Sequence, residues 1–224
     1  MILAIETATD ICSVAFMDDQ HKIHEKRSEE KGVHSEKLFS FTRELMEQCQ
    51  FGLQDLDALL ISNGPGSYTG LRIAASAVKG LLFNSEIPVY AYNTLASIAA
   101  GVAEKSKAED NVRIHAVLNA RRKHVYHQLF QGQGLHSDDK GDIIEIEQLL
   151  KQISTDDVIG GTGIFRFRER LPDQVETFGL EVISAVNMLN LHQTGRGLKH
   201  CRKVSIEALE SDYLTSSQVN NTGL

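Results

Sequence analysis

The sequence predicts an α/β protein of two lobes, a complete N-terminal one and a reduced second one. Three observations carry this. The chain opens on short apolar runs separated by turn residues, apolar runs then alternate with segments of helical spacing as far as Ala103, and the pattern weakens beyond the polar break at Glu104 to Asp110. At 224 residues with 42% hydrophobic and 24% charged content, the chain suffices for one large domain or two small ones with a buried core.

The first two strands are Ile2 to Ile5 and Cys12 to Met17, apolar throughout except Ser13. The third, Lys22 to Arg27, is mostly polar with Ile23 inside, as an edge strand would be. Turn residues at Thr7 to Asp10 and Asp18 to Gln20 join them. Apolar residues at Leu38, Phe41, Leu45 and Cys49 then repeat at helical spacing, which predicts a helix over 35–50 with Ser35 as N-cap. A buried strand over 56–62, a helix over 70–83, a strand over 88–92 and a helix over 95–103 complete the order βββαβαβα. Beyond the break, 114–118 and 125–130 read as a hairpin around Ala120 to Lys123, 143–153 as a short helix, and Val158 to Gly163 as a strand end entering a glycine turn.

That element order is how one lobe of the two-lobed actin-like and sugar-kinase-like (ASKHA) fold begins, an inference from fold analogy. The expected domains are 1–104, the actin-like lobe, and 105–224, a smaller, degenerate lobe.

Composition removes several function classes. Ile2 to Ile5 runs straight into Glu6 without the flanks of a secretory leader, and no stretch approaches the ~20 apolar residues of a membrane span, so a cytoplasmic location with no membrane contact is expected. Cys12, Cys49 and Cys201 are odd in number and widely spaced, which argues against both a disulfide framework and a zinc site. The formal charge of −7 gives no overall field to attract nucleic acid, so RNA is expected to be met only through a complex.

The stretch SNGPGSYTGLRIAASAVKGL, 62–81, poses the central question. A phosphate loop aims backbone N–H groups at an anion from a helix N-terminus, and Gly64, Gly66 and Gly70 do precede a helix. Their spacing matches neither the dinucleotide fingerprint nor the Walker pattern, and Pro65 has no N–H to offer. The helix that follows favours a tight turn between packed elements instead. Leu71, Ala74, Ala75, Val78, Leu81 and Leu82 make one broad face, while Ile73, Ala77 and Gly80 form a strip on the other side that would admit a partner helix.

The remaining candidates are weak as chemistry. Glu6 ends the first strand, where actin-like ATPases hold a carboxylate, but Thr7, Ala8 and Thr9 follow it rather than a glycine, which favours a turn carboxylate. His34 lacks an i, i+4 partner, and His21 with His24 and His124 with His127 stand three apart on strands, so a metal site is not expected. Ser67, Tyr68 and Thr69 have no base placed by any recognisable elbow motif. The turn Gly160 to Gly163, with Gly161 at its centre, reads as a plain turn or a degenerate phosphate turn, and Arg121 to Lys123 as a solvated tip or an RNA contact. No catalytic residue is assigned, and Glu6, Gly66 and Gly161 stand only as degenerate cofactor-binding candidates, with no cofactor expected.

The stretches ILAIETATDICSVA, HSEKL, GPGSYTGLRI and IPVYAYNTL together resemble the TsaB (YeaZ) family of bacterial tRNA threonylcarbamoyladenosine (t6A) biosynthesis proteins. LNARRKHVY and the DYL near the C-terminus resemble its second half more loosely. The resemblance implies an actin-like fold and a non-catalytic subunit. Such a subunit binds the homologous catalytic subunit TsaD and, with the ATPase TsaE, supports threonylcarbamoyl transfer to tRNA adenosine 37. In TsaD-like sequences a His-x-x-x-His pair follows the strand that here is 88–92. Thr94 and Ile98 stand at those positions, and neither can replace an imidazole ligand. Family members use the first two helices as partner interface, which here nominates Leu38, Phe41, Leu45, Leu71, Ala74 and Val78, either toward TsaD or toward a second copy in a homodimer. The alternative is a nucleotide-hydrolysing ATPase or small kinase of the same superfold. A metallopeptidase has no ligand set or nucleophile to support it.

Overall fold

In a computed structural model of the chain, residues 1–138, 140–207 and 209 are described; the DYL stretch lies outside them. The elements, in order, are β1 Ile2–Glu6, β2 Cys12–Met17, β3 Ile23–Ser28, α1 His34–Cys49, β4 Ala58–Ser62, α2 Tyr68–Leu81, β5 Val89–Tyr92 and α3 Thr94–Ser106. There follow β6 Arg113–Asn119, β7 His124–Gln131, β8 Asp142–Glu145, α4 Ile146–Leu150, β9 Val158–Gly160, β10 Glu176–Phe178, α5 Val186–Gln193 and β11 Cys201–Val204.

The strands form two sheets, one ordered β11-β5-β4-β1-β2-β3 and the other β10-β9-β6-β7-β8. In the first, β1 runs antiparallel to β2 and parallel to β4, and polar β3 is the edge, as its composition requires. Period-2 alternation splits its strands between two cores. Leu3, Ile5, Val14, Phe16, Leu59 and Ile61 face α1 and α2. Ala4, Ala15, Leu60 and Tyr92 face α3 and α5, which in turn pack on Ile114, Ala116, Leu118 and Phe130 of the second sheet. A third, smaller core covers the far side of that sheet with Val117, Val125, Ile146, Leu149 and Ile159.

α3 is therefore enclosed between two sheets, which its residues allow: Leu95, Ala96, Ile98, Ala99, Val102 and Ala103 are all buried. Late segments return to the first sheet. β11 pairs antiparallel with β5, and residues 180–187 are strapped to β2 and β3. Glu25 Oε1 accepts the hydroxyls of Ser13 and Ser184, the Ala185 amide donates to Ser13 Oγ, and Arg27 donates to the carbonyls of Leu180 and Ile183.

Local departures from the sequence expectation have physical causes. Ser35 does not cap α1: the helix begins at His34, whose Nε2 lies 2.8 Å from the Thr9 carbonyl, and the N-cap position falls on Val33 without a side-chain cap. The cap chemistry sits on α2 instead, where Ser67 Oγ accepts the Gly70 amide, so that helix starts at Tyr68 rather than Gly70. The helix expected over 143–153 is a strand followed by a short helix, because the backbone of Ile143 and Ile144 pairs with Tyr126 and Val125. Among the described residues no helix is long and apolar enough to cross a membrane.

Candidate functional site

The glycine loop closes on the β1–β2 turn. The Ser67 amide donates to the Ala8 carbonyl at 2.6 Å, Thr7 Oγ1 donates to the Gly70 carbonyl at 3.0 Å, and the Gly64 amide donates to Thr94 Oγ1 at 3.1 Å. A Cβ on Gly66 would stand 2.3 Å from the Ala8 carbonyl oxygen, and one on Gly70 would stand 2.0 Å from that of Thr7. These glycines thus admit a backbone, and the N–H groups a phosphate would need at Gly64, Ser67 and Gly70 bond to the protein itself. The Gly64–Pro65 peptide is cis.

Glu6 lies beneath this seal, fully buried. Its Oε1 accepts the Ala8 amide at 2.6 Å, and Oε2 has no hydrogen-bond partner among the described residues. Burial pushes its carboxyl up to about 7 from 4.5, against the lowering effects of the Ala8 amide and the neighbouring Ser62 hydroxyl. Gly161, at φ +113°, donates its amide to Phe178, and a Cβ there would meet the Val117 carbonyl at 2.2 Å. A side chain at Gly66 or Gly161 would thus run into backbone, and Glu6 is a buried carboxylate held by the turn that follows it. Thr94 is buried and holds the glycine loop through both its amide and hydroxyl, and Ile98 is in the core. Among the described residues no group of three or more His, Cys, Asp or Glu side chains is arranged to hold a metal ion.

Between the sheets the sealed loop leaves an open cleft of about 690 Å³. One wall is the α2 N-terminus and Asp10 with Lys31, and the other is the β6–β7 hairpin with Arg121, Arg166 and Phe165.

The nominated interface residues turn inward. Leu38, Leu45, Ala74 and Val78 are 0% exposed and Leu71 2%, and Phe41 packs half-buried on the same core. The reason is geometric: the sheet covers the broad apolar faces of α1 and α2 that carry these side chains. What the helix pair presents outward is a shallow groove of about 480 Å³ lined by Phe39, Tyr68, Arg72, Ile73, Ser76 and Ala77. Phe39 is 48% and Tyr68 49% exposed, and the Arg72 guanidinium lies 5.0 Å from the Tyr68 ring centroid. Two members of the second strip, Ile73 and Ala77, line this groove.

A buried polar chain escaped the sequence reading. His115 Nε2 lies 3.1 Å from Asp157 Oδ2 and His115 Nδ1 lies 2.9 Å from His127 Nε2, while Arg113 pairs with Asp157. The carboxylate accepts from His115 Nε2–H, so Nδ1 accepts from His127 Nε2–H, and both rings are neutral. Burial holds both imidazoles below their ordinary range, with Asp157 partly opposing this at His115 and the neighbouring ring reinforcing it at His127. Considering His127 only against His124 hid this, since the β6–β7 register places His127 opposite Val117, on the His115 face.

A family model described as TsaD, tRNA N6-adenosine threonylcarbamoyltransferase, matches residues 25–159. The tRNA threonylcarbamoyladenosine biosynthesis protein TsaB of Haemophilus influenzae is 27% identical, over 93% of this chain and 90% of its own length. The protein of the same name from Escherichia coli is 30% identical, over 72% and 71%. Among solved structures, YeaZ from Pseudomonas aeruginosa superposes with a TM-score of 0.81 at 27% identity, covering 95% of this chain and 99% of its own.

Proposed function

This chain belongs to the TsaB (YeaZ) family and its role lies in tRNA threonylcarbamoyladenosine biosynthesis, and from that premise we propose that it serves as the non-catalytic partner of a TsaD-like catalytic subunit. In this reading it has no active site of its own, and with a TsaE-like ATPase it supports threonylcarbamoyl transfer to tRNA adenosine 37. Residues 1–104 form the body of the lobe that carries the interface, to whose sheet β11 returns, and the smaller lobe is built from residues beyond 104, in the cytoplasm.

The observation that carries the proposal is the α1–α2 groove. It sets two half-exposed aromatic rings beside the small residues Ser76 and Ala77, a shape that admits an apolar helix closely. A TsaD-like subunit would present that helix, and a second copy of this chain would do so in its absence. The closed glycine loop supports the non-catalytic part, because the amides of Gly64, Ser67 and Gly70 bond to the protein's own carbonyl and hydroxyl oxygens.

The test is tRNA threonylcarbamoylation by purified TsaD-like and TsaE-like subunits, supplied with threonylcarbamoyl-adenylate, ATP and unmodified tRNA, with and without this chain. Activity that requires both the TsaD-like subunit and this chain, with none from this chain alone, is expected. Equal activity without it would sink the proposal, and magnesium-dependent ATP hydrolysis by the isolated chain would favour the kinase-like alternative.

A further inference from the structure

We propose that the mouth of the cleft between the two sheets binds single-stranded RNA, with phosphates on Arg121 and Arg166 and a base stacked on Phe165. This rests on the reading above, which makes tRNA the polyanion at hand.

Charge placement carries the argument. The chain as a whole is at −7, yet the cleft gathers Lys31, Arg121 and Arg166 against the single carboxylate of Asp10, which lies 3.5 Å from Lys31. Among the described residues no carboxylate stands within ion-pair distance of Arg121 or Arg166. Their neighbours differ: Lys123 pairs with Glu145, and Arg170 with Glu147.

The Arg166 guanidinium and the Arg121 backbone are also braced on the same side chain. Asn119 Oδ1 accepts Arg166 Nη1 at 2.7 Å and the Arg121 amide at 3.1 Å, and Arg166 Nη2 donates to the Arg122 carbonyl. Every acceptor here is neutral, so Arg166 is oriented with its positive charge uncompensated, a pre-organised phosphate contact. Phe165 precedes it in the chain and is 60% exposed at the same mouth, which supplies a stacking face beside the cations.

The cleft floor separates a strand from a free nucleotide. Ser67, Gly70 and Gly161 direct their amides to protein oxygens and Glu6 is buried, so these groups are not offered to a triphosphate. A strand that crosses the mouth needs only the braced rim.

The experiment measures fluorescence anisotropy of a 5′-labelled, unmodified anticodon stem-loop RNA against the full chain, alone and with the TsaD-like subunit, across a salt series. Arg121→Glu/Arg166→Glu should weaken binding about tenfold or more and lower the slope of log affinity against log salt by about 0.7 for each phosphate no longer neutralised. Phe165→Ala should weaken it roughly fivefold with the slope unchanged. These positions are exposed, and a thermal melt checks that the variants fold. RNA binding by neither form, or binding that the charge-reversal variant leaves unchanged in both, overturns the proposal. So does displacement of the RNA by ATP, which assigns the mouth to free nucleotide, or by poly-glutamate with no effect of Phe165→Ala, which assigns it to an acidic protein. The threonylcarbamoylation assay keeps the two readings apart. A chain that is required for modification but binds no RNA removes this inference alone, whereas a dispensable chain removes the functional reading.

Discussion

The amide of Ser67 donates to the carbonyl of Ala8 across 2.6 Å, binding the glycine loop to the β1–β2 turn. Gly66 and Gly70 exist for that approach, since a Cβ at either would meet a carbonyl oxygen of the turn. Gly70→Ala should therefore destabilise the fold by about 1–3 kcal/mol, or more where backbone must shift. Gly80, helical in α2 with open space around its Cβ position, is the control: Gly80→Ala should stabilise by up to about 1 kcal/mol. Urea midpoints at unchanged m-value report both.

Ile73 and Ala74 are adjacent on α2, about 100° apart around its axis; Ile73 is half-buried at the groove and Ala74 fully buried, which makes them a matched pair. Ile73→Asp, at the groove, should leave the monomer's melting temperature within a few degrees and weaken the partner complex by about 2 kcal/mol or more. Ala74→Asp places a carboxylate in the core and should lower monomer stability by several kcal/mol. Analytical ultracentrifugation beside thermal melts separates the two. An intact complex with Ile73→Asp removes the groove from the interface.

Glu6 holds its proton more tightly folded than unfolded, at about 7 against 4.5. Its contribution to stability is complete below pH 4.5 and is lost as pH rises through about 7. Glu6→Gln keeps the acceptor for the Ala8 amide and cannot ionise. The stability difference between variant and parent should therefore grow in the variant's favour across that window, by up to about 3 kcal/mol. A flat difference curve from chemical denaturation would show that Glu6 has an ordinary carboxylate pKa.

The His115–His127 pair works in the opposite direction. Both rings titrate below their unfolded value of 6.5, so the stability they contribute is complete above pH 6.5 and falls as the pH drops below it. The slope approaches about 1.4 kcal/mol per pH unit for each proton that only the unfolded chain binds. Protonation also sets two N–H donors against each other where His115 Nδ1 now accepts from His127. His127→Gln, which removes one titrating ring, should show a shallower loss between pH 6.5 and pH 5 than the parent, read as melting temperature against pH. Parallel curves would show that the pair does not govern acid stability.

The order βββαβαβα, the edge position of β3 and the hairpin β6–β7 were legible in the sequence, because each is written in local periodicity and turn chemistry that neighbouring residues alone decide. The 143–153 segment was not, since Ile143 and Ile144 suit helix or strand equally and only the open edge of β7 selects the strand. The same division runs through the sites. Apolar stripes on α1 and α2 were visible, but which stripe meets the sheet depends on how the helices are rotated against it. That rotation buried Leu38, Leu45, Leu71, Ala74 and Val78 and exposed Phe39 and Tyr68. Arg121 and Arg166, like His115 and Asp157, are more than 40 residues apart and meet only because the chain brings distant strands and turns together. Sequence alone determined the family, the element order and the odd glycine loop. Tertiary packing decided which faces and charges reach solvent, because burial is a property of the assembled layers and not of any one segment.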